Sequence, residues 1–350
     1  MGHTDTLVIG KPVGKPRQHH IRSVPSRTTE DQQTFVHATV QNFDMIDPRL
    51  RVLQMVAHHG TVTAAAEALH YTPSAVSHQL RQLAADLGVE LVAQAGRGIR
   101  LTAAAETLLR HIEVLQAQAE RARAELASVV DGHGGSFTLC GFSTAATHLL
   151  PPAAAALRNR YPNLVVRVIE AEPARCFDLL LAGDADLALV VATAGTPPTS
   201  DSRFDQRPLV EDPLDLVVPE GHPLTNRRRV TLGDAVDEPW IVGRPGSTYH
   251  HLVLTACMAA GFTPNIAHYA DEWETGTALV AHGFGVILVP RLARLHRHWP
   301  IARIPLHGEP APARRILAAT RLGSREHPVV MAALDTITST AAALRPLHRS

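Results

Sequence analysis

Lysine is almost missing from this 350-residue chain: Lys11 and Lys15 are the only two among 33 basic residues. Acidic residues also number 33, so the formal charge is zero, bulk electrostatics point to neither nucleic acid nor membrane, and any basic footprint has to be local. Cysteine is scarce too. Cys140, Cys176 and Cys257 form no CxxC pair and no even-numbered set, which excludes a disulfide scaffold and suits a reducing compartment such as the cytoplasm. They read as small buried hydrophobes, with a redox switch as the lesser alternative. No apolar run approaches the ~18 residues of a membrane helix; the stretch over residues 279–290 is interrupted by His282, Gly283 and Gly285. The first residues lack the basic start, apolar core and small-residue cleavage site of a secretory signal, so export is not expected. Catalytic signatures are absent as well: there is no GxSxG, phosphate loop, HExxH or complete GxGxxG, since Gly283-Phe284-Gly285 lacks a third glycine. Neither an enzyme nor a cofactor is expected.

What remains is a globular composition, 45% hydrophobic and 19% charged, in a chain long enough for two or three compact units. Residues 1–44 carry Gly, Pro, His, Ser, Thr and Gln without any period and are expected to be a disordered extension; periodicity starts so abruptly at Met45 that translation beginning there is the alternative. Leu50, Leu53, Met55 and Val56 then recur at helical spacing until Gly60. A hydroxyl among residues 61–63 caps a second helix over 64–69, and Pro73 opens a third that reaches about Leu87. Two short helices joined by a tight turn make a helix-turn-helix, whose second helix presents its N-terminal residues to the major groove. Runs at 89–93 and 99–102 flank Gly96-Arg97-Gly98 as a two-stranded wing. Leu108, Ile112, Leu115, Ala119, Ala122, Leu126 and Val129 follow at spacings of four and three, a helical seam that calls for a partner copy; packing on its own domain is the alternative.

Beyond Asp131 strands and helices alternate. Strands at 137–142, 164–169 and 186–191 with helices at 145–159 and 173–182 predict a βαβαβ parallel sheet. A second set comprises strands at 214–218, 239–242 and 285–290 and helices at 247–260 and 274–282; the strand at 316–320 and the helix at 329–343 return to the first sheet. The expected organisation is a mainly-α winged helix-turn-helix over 45–103, a linker helix over 104–130, and an α/β two-lobed domain over 131–350. Lobe I takes about 136–208 and 309–350, and lobe II about 209–308.

Three segments, Gly60 to Leu69, Thr72 to Gln79 and Leu101-Thr102-Ala103, resemble the N-terminal region of LysR-type transcriptional regulators. Weaker matches follow at Leu149-Leu150-Pro151, Tyr161-Pro162, Gly183 to Leu187 and Gly283 to Pro290, resembling that family's periplasmic-binding-protein-like effector domain. The chain departs from the family at Ala84 and Gln94, where glutamate and arginine are usual, and at Ala105, where glycine is; these changes leave the apolar pattern intact and remove one phosphate-facing charge and one polar brace. Residues 45–103 hold five arginines against Asp47, Glu67, Asp86 and Glu90, a small excess, so operator affinity is expected to depend on dimerisation and geometry. The resemblance implies a homodimer or homotetramer on a double-stranded DNA operator, a small-molecule effector between the lobes, and RNA polymerase as a candidate partner.

On the recognition helix Pro73, Ser74, Ser77, His78 and Arg81 are the candidates for base and phosphate contact, with Arg97 and Arg100 in the wing. For the effector, strand ends that feed helix N-termini offer free N–H groups suited to a carboxylate or other anion. They nominate Ser143 and Thr144 facing Ser247 and Thr248, with Thr193 weaker, Glu172 to select a polar or cationic group, and Trp273 to stack; helix capping and core packing are the plain alternatives. The histidine pairs His19-His20, His250-His251 and His296-Arg297-His298 read as surface residues rather than metal ligands, because neighbours on a helix point to different faces.

Overall fold

Helix ends are written locally in the N-terminal third. Asp47 accepts a hydrogen bond from the Arg49 amide at 2.9 Å, Pro48 occupies the first turn, and Gly60, at φ 71°, ends α1 (Pro48–His59) in a left-handed cap that a side chain would strain. Thr61 caps α2 (Val62–Ala68), and Thr72 with Pro73 starts α3 (Pro73–Leu87). Leu53, Met55, Val56, Val76, Leu80 and Leu83 turn inward. This structure, a computed structural model, describes residues 45–95, 98–129, 134–193, 195–308 and 311–344; the extension expected over 1–44 and the wing candidate Arg97 lie outside the described residues.

The wing is the antiparallel pair β1 (Val92–Ala95) and β2 (Gly98–Leu101), so its first strand starts at Val92 and not at residue 89. Thr102 then couples the wing to the linker helix α4 (Ala103–Ser128): its Oγ1 donates to the Glu90 carbonyl at 2.6 Å and accepts from the Ala105 amide. The seam read from the sequence is divided in the structure. Ile112 is buried in this chain's own core with Ala105, and Ala117, Ala119 and Ala124 are buried within the chain as well, whereas Leu115, Leu126, Val114 and Val129 stay exposed, Leu108 and Ala122 lying between. Small alanines formed the second stripe, and they carry too little hydrophobic signal to stand out.

In lobe I, β3 (Gly135–Gly141) lies between β4 (Leu164–Glu170) and β5 (Leu187–Val191), all parallel. The helix expected over 145–159 is two, α5 (Ser143–His148) and α6 (Leu150–Arg160), because Pro151-Pro152 fit only a new first turn. After α7 (Pro173–Ala182) and β5 the chain enters β6 (Phe204–Pro219), a 16-residue strand that serves both lobes. Its first part pairs antiparallel with β11 (Ala313–Arg321), which in turn pairs with β5. Its second part pairs with β9 (Ile287–Pro290) and β10 (Ile301–Ile304) in lobe II. A parallel pair, β7 (Pro239–Val242) and β8 (Asn265–Tyr269), completes lobe II with α8 (Thr248–Ala259) and α9 (Trp273–Ala281), while α10 (Pro328–Leu344) returns to lobe I.

Strand alternation separates the cores. Leu139, Leu189, Val191 and Ala318 face α6 and α10, whereas Cys140, Ala188, Val190, Leu317 and Ala319 face the side covered by α7 and the N-terminal helices. Lobe II has its own core around Trp240, Ile241 and Leu288. Contacts from Arg321 and Gly323 help to fix α4 to lobe I. Arg321 Nε donates to Glu120 Oε1 at 2.8 Å and Nη2 to Asp186 Oδ1 at 3.1 Å; burial raises the Glu120 carboxyl, but Arg321 and Arg123 outweigh it and hold the group ionised below its usual range. Gly323, at φ 93°, presses its backbone against the Ala117 carbonyl of α4.

Candidate functional site

Pro73 at the first helical position, Ser74 and His78 are exposed on α3, and Ser77 is half-buried beside them. Ser74 shares a hydrogen bond with the capping hydroxyl of Thr72 at 3.0 Å, and Arg81 Nε donates to the Ser77 carbonyl at 3.2 Å, which holds an exposed guanidinium over this turn. Arg100 is exposed on β2. Val76 and Leu80 lie in the core, so the open face of α3 carries polar side chains and its inner face fixes the helix in place. Exposed Tyr71, just before α3, was passed over by sequence reasoning; no helical period marks it.

Between the lobes is a cavity of about 120 Å³. It gathers Ser143, Thr144, Glu172, Thr248 and Trp273 of the sequence candidates. Thr193 and Ser247 do not line it: Thr193 turns back on Thr196, and Ser247 Oγ caps α8 by accepting from the His250 amide at 3.1 Å, the plain alternative for such a hydroxyl. Thr144 is buried and accepts from Arg314 Nη2 at 2.5 Å. Trp273 packs edge-on to Tyr249 with ring centroids 4.4 Å apart, and Phe142 carries the Arg314 guanidinium over its face at 4.8 Å.

The lining differs in charge from the anion-binding cleft that helix N-termini alone suggest. Glu170, Glu172, Asp271 and Glu272 all border the cavity, and among the described residues that line it the one basic side chain is Arg314. That guanidinium is already neutralised by Asp212, its register partner across β6 and β11, through Nε at 2.9 Å and Nη2 at 2.7 Å to Oδ2. Hydrogen bonds from the Arg244 amide and side chain hold Asp271 below the usual carboxylate range despite partial burial. Glu170, Asp271 and Glu272 sit at strand and loop ends, where a sequence offers no period to single them out.

Helix α7 has two working sides. Its N-cap Glu172 and first residue Pro173 border the cavity, while Arg175 and Asp178 face the N-terminal domain. Arg175 Nη1 donates to the Ala68 carbonyl at 2.9 Å and Nη2 contacts His70 Nε2 at 2.9 Å; His58 and His59 at the end of α1 converge on Asp178. Each cysteine is buried. Cys140, beside Cys176, has its thiol pushed up by that neighbour and by burial, and burial pushes Cys257 up to about 12.

Residues 48–106 match the family model described as "Bacterial regulatory helix-turn-helix protein, lysR family", and residues 131–342 match "LysR substrate binding domain". Among similar proteins is the HTH-type transcriptional regulator AlsR of Bacillus subtilis, 30% identical over 233 residues that cover 66% of this chain and 75% of AlsR. A probable hydrogen peroxide-inducible genes activator of Mycobacterium avium is 30% identical over 245 residues, 70% of this chain and 77% of that one. In fold, the chain is similar to a full-length OxyR variant from Pseudomonas aeruginosa, with a TM-score of 0.58 at 21% identity over 85% of this chain and 95% of that one. Full-length BenM gives 0.53 at 21% identity over 85% and 97%.

Proposed function

Because this chain belongs to the LysR family of bacterial transcriptional regulators, we propose that its acid-lined cleft takes an effector with a cationic head, an amine or guanidine, and an apolar body. The protein is a DNA-binding regulator and not an enzyme. The observation that carries the effector reading is the cavity lining: four carboxylates, three aromatic walls, and an arginine whose charge Asp212 already takes up. A cation against Trp273 and Tyr249 gains from the ring faces as well as from the carboxylates. We expect Trp273→Ala to weaken binding of such a compound about 3- to 30-fold by calorimetry, and Glu172→Gln with Glu272→Gln to weaken it further. Carboxylate compounds that bind where amines do not would overturn the assignment.

Thiol oxidation is a weaker reading of the signal. A thiol that reacts with peroxide is an exposed, low-pKa thiolate, and the three here are buried, with the two shifted ones held protonated. We place the operator contacts on Ser77, His78, Arg81 and Arg100, in the cytoplasm where DNA is available, with RNA polymerase as a further partner. Ser77→Ala or His78→Ala should cost about 1–3 kcal/mol of specific binding, and Arg100→Ala should lower the salt slope by about 1. Gel-shift titrations at several salt concentrations read both, and wild-type affinity in the first two variants would remove α3 from the groove. Two copies meet, in this reading, along the exposed side of α4 through Leu115, Ala122 and Leu126, and dimers of dimers follow from pairing of the α/β domains.

The signal has a short route. An effector that grips Glu172 pulls on α7, whose other side holds α1 and α2, and its preference for one lobe setting becomes a preference for one placement of the DNA-binding helices.

A further inference from the structure

Histidine at 58 and 59 was not among the pairs singled out from the sequence, and the function described so far makes no use of it. Both rings close on one carboxylate of another domain. His59 Nε2 lies 3.0 Å and His58 Nε2 3.5 Å from Asp178 Oδ1, with the two rings edge-to-face at centroids 4.9 Å apart. Among the described residues this is where three metal-ligating side chains converge, with their donor atoms all within 4.8 Å of one another. We propose that His58, His59 and Asp178 form a binding site for a divalent first-row ion of the zinc or cobalt kind, which ties the DNA-binding domain to the effector domain.

The two histidine–carboxylate distances fit that chemistry. Ligand atoms about 2.0–2.1 Å from a tetrahedral ion are separated by about 3.3 Å, and the two nitrogen–oxygen separations here fall on either side of that value. The direction of the contact separates an ion from a proton. His59 Nε2 is buried and makes no hydrogen bond, although the carboxylate oxygen is only 3.0 Å away, because that oxygen lies off the axis of the ring nitrogen. A shared proton must lie near the line between the two atoms. An ion bonded to both lies off that line. Two imidazoles and one carboxylate leave a fourth position for water, a donor set that suits zinc and cobalt and not magnesium or calcium.

The surroundings set a cost that gives the proposal a second handle. Arg203 Nη1 lies 3.2 Å from His58 Nδ1, and an ion on Nε2 puts the ring proton on Nδ1, facing that guanidinium. Arg203 then keeps its hydrogen bonds to Asp201, at 2.9 and 2.7 Å. A glutamine at this position supplies an acceptor for the Nδ1 proton, so Arg203→Gln should tighten metal binding. Since α1 brings two ligands and α7 the third, a bound ion favours the docked arrangement of the two domains by mass action.

The test uses the full chain, stripped with a chelator and titrated with cobalt and then zinc. Expected are one equivalent per chain, the ligand-field bands of tetrahedral cobalt displaced by zinc, and a melting temperature raised by zinc. Asp178→Asn, His59→Ala and the milder His58→Gln should each weaken binding more than tenfold, and Arg203→Gln should strengthen it. His250→Ala, His296→Ala and a variant lacking His19 and His20 should bind as wild type does. Absence of saturable binding at micromolar metal, or binding that survives His59→Ala and disappears without His19 and His20, would overturn the site.

Discussion

Arg314→Met should lower the unfolding free energy by about 3–5 kcal/mol, the usual penalty for stranding one member of a buried ion pair. Asp212 is 3% exposed, and among the described residues the hydrogen bond its carboxylate keeps once the guanidinium is gone is the Leu292 amide at 3.1 Å. Urea unfolding followed by circular dichroism reads the loss. The pair itself is worth far less than either half, because burying two charges nearly cancels their attraction. Asp212→Leu together with Arg314→Met should therefore recover most of the stability that the single change removes. A single-variant loss below about 1 kcal/mol would mean that the carboxylate finds another partner. Because Arg314 also donates to Thr144 and lies over Phe142, the same change should loosen the cleft wall.

Gly323→Ala should cost about 2–4 kcal/mol, of which crowding contributes about 1–3 and the left-handed backbone about 1. A Cβ built there stands 2.3 Å from the Ala117 carbonyl oxygen and 3.1 Å from Arg121 Cγ, and a helix backbone cannot yield locally. The helix α4 has to lift from lobe I. Hydrogen exchange should accelerate along α4 while the lobe II strands keep their protection. Gly221→Ala is the control: φ is 79° there with nothing within 4 Å of the new methyl group, so it should show the backbone cost alone. Equal losses in the two variants would show that the contact with α4 is not tight.

Legibility of the fold followed the range of the interaction. Asp47, Gly60, Thr61, Thr72 and Pro73 act on neighbours two to four residues away, and the helices they bound were readable from the sequence. The early part of β6 was not, because Asp205, Pro208, Asp212 and Pro213 oppose a strand until β11, a hundred residues later, supplies ladder partners and Arg314. The docking of α7 on α1 was hidden for the same reason. In the cleft, Ser143, Thr144 and Thr248 could be found because hydroxyls cluster where strands lead into helices. The rule that found them also chose Ser247, which caps, and it says nothing of loop carboxylates such as Asp271 and Glu272.

Thr102 leaves no slack between the wing and α4, and Arg321 and Gly323 leave none between α4 and lobe I. At 26 residues and 1.5 Å per residue, α4 is a lever about 39 Å long. Turning lobe I, with α4 attached, by about 5° about the Ser128 end of the helix swings the wing end through about 3.4 Å, close to the rise between successive phosphates on one strand. A rotation too small to repack any core is thus enough to move the reading head by one base pair.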